Sequence, residues 1–188
     1  MSKDFYENNL LLKDALQIYF SKYHFKDGGY HDKYFRMKIG KLLVPFPNFK
    51  SRLDAVKRHD VHHVITGYRA DWRGEIEIAG WELASGCGNY FMAWFFNLGS
   101  LLLGIVLYPQ SLYLAFMEGR MCKHNLYGSV VYNDDLMNKS LGEIRADMFN
   151  EKRNTGAVAN HLWLLWYFIA ALLPYALAVF LICKMAKL

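Results

Sequence analysis

The residues of this chain best suited to chemistry lie between Arg58 and Glu75. His59 and His63 are four residues apart, so on a helix they lie one turn apart on the same face, as metal ligands must. Asp60 can reach the same rim, and Glu75 follows a Gly-containing turn and could close the site from a second helix. Two imidazoles and two carboxylates would accept zinc, iron, manganese or cobalt, and ligand type does not choose among them.

Two other histidine-containing patterns match part of this stretch. The H-x-x-H-H box of membrane di-iron desaturases fits residues 59–63, but those enzymes need about eight ligand histidines and the chain has seven in all. A phosphohydrolase of the HD type also uses a His-Asp pair, together with a distant upstream His and a distant downstream Asp. His24 or His31 could be the upstream His, and Asp134, Asp135 or Asp147 the downstream Asp. This activity therefore remains a minor alternative.

The segment His59-Asp60-x-x-His63, then eleven residues, then Glu75 resembles the signature of the fourth member of the coenzyme Q biosynthesis protein family. Glu82, seven residues after Glu75, is similar to a second carboxylate of that family. Downstream, Ala115–Arg120, Leu126-Tyr-Gly, Leu136 and Leu141–Arg145 resemble its Gly-Arg helix and its closing Leu-x-x-Leu/Ile-Arg segment. The resemblance covers roughly residues 50–149.

This resemblance implies an all-α domain on the membrane surface, with an apolar groove for a prenylated substrate. His59, Asp60, His63 and Glu75 would be the metal ligands, with zinc the metal usually assigned. The implied function is removal of the C1 carboxyl of a polyprenylated benzoate, by decarboxylation or oxidative decarboxylation, together with organisation of other quinone-biosynthesis enzymes. His62 stands where the family usually has an aromatic residue, and it either competes as a ligand or faces solvent.

Two classes of function follow for the site. In an enzyme the metal would act as a Lewis acid, or would position oxygen or water beside the ring, and Glu82 or Glu77 could accept a proton. In a non-catalytic lipid-binding scaffold the metal would only join two helices.

The elements that must position these residues are predicted to be helices. Apolar residues at helical spacing predict amphipathic helices at 5–24, ended by Asp27-Gly-Gly, and at about 31–44. Asn48 is the expected N-cap of a third helix running from Phe49 to about Ile65, and Gly67 its expected C-terminal stop. Another helix is predicted to begin near Trp72 and to carry both Glu75 and Glu82.

Two long apolar segments follow. Residues 83–117 contain no charged residue but are interrupted by Gly, Asn and Pro, which favours two helices that pack in the domain or dip into lipid. The candidates for lining a groove beside the metal are Phe91, Trp94, Phe95, Phe96 and Leu101–Leu103. Residues 161–182 are long enough to cross a bilayer and have Trp near one end and Lys184 and Lys187 at the other, which predicts a tail anchor.

The composition agrees with a membrane protein. Of 188 residues, 54% are hydrophobic and 16% aromatic, and a net charge of +5 without a dense basic tract argues against nucleic-acid binding. Three cysteines without a C-x-x-C pair indicate free thiols on a reducing side, cytoplasmic or matrix-like. The expected class is all-α, with a metal- and lipid-binding domain at 1–156 and a transmembrane anchor at 157–188.

Overall fold

The structure is a computed structural model that describes residues 3–26, 28–39, 42–128, 130–149 and 156–185. Within these ranges the chain forms eight helices and one two-stranded hairpin, so the helical architecture expected from the sequence is confirmed in its main features. The elements are α1 (Leu12–Tyr23), β1 (Tyr34–Ile39), β2 (Leu42–Pro47), α2 (Lys50–Thr66), α3 (Trp72–Ser85), α4 (Phe91–Leu107), α5 (Pro109–Met121), α6 (Asp134–Met137), α7 (Leu141–Phe149) and α8 (Ala157–Met185).

The helix expected at 31–44 is wrong, because this segment belongs to an antiparallel hairpin. Strands β1 and β2 pair from Tyr34 opposite Pro47 to Ile39 opposite Leu42. One feature of the sequence explains the difference. Residues 35–39 alternate between apolar and basic types, which is the period of a strand.

The helices around the site begin and end close to the expected positions, with two corrections. Helix α1 begins at Leu12, not at residue 5, because residues 5–10 are irregular and end in a turn, while single bridges join Lys3 to Tyr68 and Leu11 to Ser140. Asp27 of the expected stop lies outside the described residues. Helix α2 ends at Gly67 as predicted, but its N-cap is Phe49; the Asn48 side chain instead donates to carbonyl oxygens of the loop before β1.

The apolar segment 83–117 forms parts of three helices, with a break at Tyr108 between α4 and α5. Helix α3 lies at the centre of the domain and packs against both α4 and α5. Trp81, Leu83 and Phe116 are fully buried at this junction. Helix α3, which carries Glu75 and Glu82, is therefore held from the side by α4 and α5, and this packing fixes where its carboxylates point.

Helix α8 is the one described helix that is long and apolar enough to cross a membrane, with its apolar window at Ala157–Pro174. Its first half is not separate from the domain, because it packs against α4 and more weakly against α3 and α5. Asn160 accepts a hydrogen bond from Arg120 of α5 at 3.0 Å, and Tyr167 and Ala171 are buried. Residue 157 therefore marks a change to an apolar composition, but the residues on its two sides pack against each other.

Candidate metal centre

The turn between α2 and α3 brings the histidines of one helix to the carboxylates of the next. Gly67 ends α2 with a positive φ of 77°, and its N–H donates to the His63 carbonyl. Asp71 caps α3 by accepting the N–H of Gly74. A Cβ on Gly74 would lie 1.8 Å from the Arg69 carbonyl oxygen, so only glycine permits this close turn immediately before Glu75.

Three of the four ligands expected from the sequence converge. His59 Nε2 and His63 Nε2 are 3.1 Å apart. His59 Nε2 lies 3.3 Å from one carboxylate oxygen of Glu75, and His63 Nε2 lies 3.5 Å from the other. Ligands about 2.0–2.1 Å from a tetrahedral metal ion are separated by about 3.3 Å. The spacing therefore fits a small divalent cation, and His59, His63 and Glu75 form a group that could hold one.

When both rings are neutral, hydrogen bonding on the far side of each ring leaves the two facing nitrogens as acceptors. His59 Nδ1 lies 3.0 Å from a Glu82 carboxylate oxygen, and His63 Nδ1 lies 2.9 Å from the Tyr68 carbonyl oxygen. Because an ionised carboxylate and a carbonyl only accept, both Nδ1 atoms carry hydrogen. Two lone pairs 3.1 Å apart repel unless a proton or a metal ion lies between them. Metal-ligating histidines are commonly held in this way by their second nitrogen.

Glu82 lies behind His59, with its side chain fully buried. Besides His59, it accepts hydrogen bonds from His62 Nδ1 at 2.7 Å, Asn97 Nδ2 at 2.7 Å and the Tyr127 hydroxyl at 3.2 Å. Burial acts to raise the pKa of Glu82, but the imidazoles of His59 and His62 outweigh it and lower that pKa. The carboxylate is thus an ionised acceptor that is placed to orient His59, and its expected role as a proton acceptor stays a prediction.

The negative charge of Glu82 also acts on the pKa of His59. Burial acts to lower the pKa of His59, while the carboxylates of Glu82 and Glu75 raise it, and the net result lies well above the ordinary value. The site therefore attracts positive charge to His59 Nε2, whether the charge arrives as a proton or as a metal ion.

His62 is neither a ligand nor a solvent-facing residue. Its ring is fully buried between Trp81 and Tyr127, with ring centroids 5.1 Å and 4.9 Å away. Its Nε2 accepts the N–H of Leu126 at 3.0 Å, so Nδ1 carries the hydrogen that goes to Glu82. Both ring nitrogens are occupied, and His62 ties the α5–α6 loop to the back of the site.

Asp60, the fourth expected ligand, is not among the ligand atoms that lie within 4.8 Å of one another. It is buried and lines a cavity next to the candidate ligands, and its carboxylate accepts a hydrogen bond from the Tyr30 hydroxyl at 2.5 Å. Burial raises the pKa of Asp60 to about 6, against the lowering effect of His59 and Tyr30. Its role as a metal ligand stays a prediction.

The metal group, which we define as His59, His63 and Glu75, opens into a cavity of about 480 Å³. Helix α4 supplies one wall through Met92, Ala93 and Phe96, with Asn97 and Ser100 beside them. The volume is in the range of small-molecule sites, which are typically apolar with a few placed polar groups.

The lining residues expected from the sequence are only partly correct. Phe96 does line the cavity, but Phe91 and Phe95 are 71% and 54% exposed on the outer face of α4, and Leu101 is fully buried in the core. Large apolar side chains lie around most of helix α4, so they carry no signal for which face turns inward. Asn97 was the available signal, since it is a polar residue in an apolar helix and its amide binds Glu82.

The other residues considered for chemistry lie elsewhere. Glu77 is buried and pairs with Arg73 at 3.1 Å. Asp147 pairs with His124 at 3.3 Å. Among the described residues that line the cavity, none is a distant upstream His or downstream Asp proposed to complete the phosphohydrolase pattern. Cys87 and Cys122 are free, buried thiols, as predicted, while the side chain of Cys183 lies outside the described part of the chain.

Comparison of the chain with protein-family models, with curated proteins and with solved structures finds no match.

Proposed function

We propose that this chain is a metal-dependent protein of ubiquinone (prenylated quinone) biosynthesis that removes the C1 carboxyl of a polyprenylated benzoate. The observation that carries the proposal is that His59 Nε2 and His63 Nε2 lie 3.1 Å apart, each within 3.5 Å of a different carboxylate oxygen of Glu75, beside an apolar-walled cavity. The spacing of these same residues along the chain carries the family resemblance.

The donor set accepts zinc, iron, manganese or cobalt, and we favour zinc because it is the metal usually assigned to the family that the motif resembles. His59, His63 and Glu75 would hold the ion, and Asp60 lies at the same cavity wall. A divalent ion bound there would supply Lewis-acid polarisation of a ligand oxygen. Glu82 keeps His59 in the tautomer that ligates.

The remaining residues provide the surroundings that a prenylated ring needs. Met92 and Phe96 on α4 cover the ring and exclude water, which strengthens every charge interaction in the cavity. Decarboxylation breaks the bond between C1 and the carboxyl carbon, releases CO2 and leaves C1 to take up a proton.

Helix α8 supports a membrane location, since prenylated substrates of this kind reside in the bilayer and α8 is long enough to cross it. We place the metal domain on the reducing side, cytoplasmic or matrix-like, in keeping with its buried free thiols. Other quinone-biosynthesis enzymes would be its partners there.

Elemental analysis of the purified full-length chain tests the metal site first. Wild type is expected to retain about one equivalent of divalent metal, His63→Ala to lose it, and His161→Ala to keep it, because His161 is exposed on α8 and bonds to Tyr113. A metal-free wild type would contradict the proposal. Release of labelled CO2 from carboxyl-labelled prenyl-4-hydroxybenzoate, measured with and without air, then tests the reaction and separates simple from oxidative decarboxylation.

A second candidate is a non-catalytic lipid-binding scaffold. It is favoured by one observation: the candidate ligands come from two different helices, α2 and α3, so a bound ion would join them as a structural metal does. Glu75→Gln distinguishes the two functions. If metal content and Tm survive while CO2 release stops, the site is catalytic; if the protein loses its metal and unfolds, the ion is structural.

A further inference from the structure

His62 is a fully buried histidine that lies beside the metal group without belonging to it. Its Nδ1 and the Nδ1 of His59 lie 2.7 Å and 3.0 Å from the same carboxylate oxygen of Glu82. The two rings come from one helix, three residues apart, and differ in what their second nitrogen meets. His59 turns its Nε2 toward the metal group, whereas His62 turns its Nε2 toward the N–H of Leu126 at 3.0 Å. One oxygen of Glu82 therefore contacts one imidazole that is placed to ligate and one that is not.

The contact with the backbone fixes the tautomer of His62. A backbone N–H only donates, so His62 Nε2 carries a lone pair and the hydrogen lies on Nδ1. The ring keeps this tautomer with or without a bound ion, because the N–H of Leu126 belongs to the backbone and not to the metal group. Trp81 and Tyr127 contact the ring from either side, which fixes its orientation as well. His62 is therefore a fixed donor aimed at Glu82.

The loop that supplies this N–H is itself joined to both helices of the site. The Leu126 carbonyl accepts a hydrogen bond from Arg58 Nε of α2 at 3.0 Å. The Asn125 amide donates to Ser85 Oγ at 2.8 Å and to the Gly86 carbonyl at 2.7 Å, at the end of α3. The position of the N–H that orients His62 is therefore set by α2 and α3 themselves.

The Glu82 carboxylate is fully occupied by donors. A carboxylate offers about four lone-pair sites, and among the described residues four side chains donate to this one, namely those of His59, His62, Asn97 and Tyr127. Asn97 lies on the second oxygen, so His62 is the closest other donor on the oxygen that receives His59. A glutamate side chain loses rotational freedom when it is ordered, and donors held by the rest of the fold keep it in place.

We propose that His62 is a positioning residue of the metal centre, which holds the Glu82 oxygen that receives His59 Nδ1 and so keeps His59 Nε2 turned toward the ion. The inference rests on the metal binding of the proposed function and does not depend on its reaction. It means that metal affinity is set in part from the loop between α5 and α6, through the N–H of Leu126.

Asparagine and glutamine separate the hydrogen bonding of His62 from its volume. The side-chain amide nitrogen of asparagine lies as many bonds from Cα as imidazole Nδ1, so His62→Asn keeps a donor for Glu82. The amide oxygen of glutamine lies as many bonds from Cα as Nε2, so His62→Gln keeps an acceptor for Leu126 and loses the donor for Glu82. Glutamine is the larger residue, so it would be the better replacement if His62 only filled space. Val61→Ala is the control for lost packing, because Val61 is buried next to His62 and its side chain makes no hydrogen bond.

Zinc affinity of the full-length chain in nanodiscs is measured by competition with a chromophoric chelator, and urea unfolding of the metal-free protein gives stability. The visible spectrum of the cobalt-loaded protein reports the geometry of the ligands. Loss of an outer partner typically costs about 10- to 100-fold in metal affinity, and we expect about tenfold for His62→Gln because His62 acts one hydrogen bond further from the ion. His62→Asn and Val61→Ala are expected to lose stability but to bind zinc within about threefold of wild type, with an unchanged cobalt spectrum.

Zinc affinity of His62→Asn equal to or below that of His62→Gln would overturn the inference, as would an equal loss of affinity in Val61→Ala and His62→Gln. The nitrogen-15 chemical shifts of the histidine rings in zinc-loaded wild type give a check that needs no variant. They are expected to place the hydrogen of His62 on Nδ1, and a hydrogen on Nε2 would also overturn the inference. A wild type that binds no zinc contradicts the proposed function as well, whereas a wild type that binds zinc with indifferent His62 variants contradicts the inference alone.

Discussion

Replacing Glu82 by glutamine tests whether this carboxylate orients His59 for metal binding. One oxygen of Glu82 accepts from His59, His62 and Tyr127, and the other accepts from Asn97. Glutamine has one acceptor oxygen and one NH2 group, so it can serve the histidines only if the Asn97 amide turns its oxygen toward the new donor. The volume of the side chain is kept, and the negative charge behind His59 is lost.

Loss of such a supporting partner typically weakens metal affinity 10- to 100-fold. This corresponds to about 1.4–2.7 kcal/mol, within the range for a hydrogen bond to a charged group. We place the effect toward the upper end, because Glu82 is fully buried and no water can replace its charge. Glu82→Ala would instead leave His62, Asn97 and Tyr127 without their acceptor and is expected to compromise folding, so glutamine is the informative change.

Zinc affinity is measured by competition with a chromophoric chelator at fixed pH and salt, and stability by urea unfolding of the same samples. Glu77→Gln is the matched control, since Glu77 is also buried on α3 but pairs with Arg73. The control is expected to lose stability and keep its zinc affinity. If folded Glu82→Gln binds zinc within about twofold of wild type, or if the control weakens binding equally, the orienting role of Glu82 is refuted.

Three further predictions concern the parts that hold the site in place. Gly74→Ala is expected to destabilise the protein by several kcal/mol, since its Cβ would overlap a backbone oxygen. Gly99→Ala on α4 has open space and is expected to be neutral or stabilising by about 0.5–1 kcal/mol. Urea unfolding measures the change in stability of both variants. Asp4, which pairs with Lys22 at 2.6 Å, has a lowered pKa despite its burial, so its stabilisation is present above about pH 4 and is lost as pH falls through the folded pKa. Asp4→Asn is therefore expected to be less stable than wild type at pH 7, with the gap narrowing as pH falls below about 4, and a gap that does not change with pH would contradict this. Residues 157–188 fused to a soluble reporter are expected to resist carbonate extraction, and release into the supernatant would argue against an anchor.

The metal group was predictable because its determinants are local in the sequence. Spacing of four residues on a helix places His59 and His63 on one face, and a Gly-containing turn returns the chain to Glu75. His62 was not predictable in this way. Its environment depends on the N–H of Leu126, which is 64 residues further along the chain, and no local pattern signals that contact.

Two other differences have separate physical causes. The hairpin at 34–47 was missed although its alternating pattern and its prolines were visible, because apolar residues in that stretch also fit helical spacing. The cavity wall was misassigned because large apolar residues lie around most of the circumference of α4, and they do not reveal its rotation; the polar Asn97 is the residue that marks the inner face. Only packing against α3 and α8 decides which face turns toward the ligand.

The two-sided apolar character of α4 is explained by its position. Its inner face contributes Met92 and Phe96 to the cavity, and its outer face exposes Phe91, Phe95 and Val106. Large exposed apolar patches on a protein surface mark contacts with another molecule or with lipid. Because α8 packs on α4, a bilayer that surrounds α8 would also cover this outer face. Helix α4 would then lie between the bilayer and the cavity, and a prenylated substrate of the kind proposed above would reach the cavity past the edge of this helix.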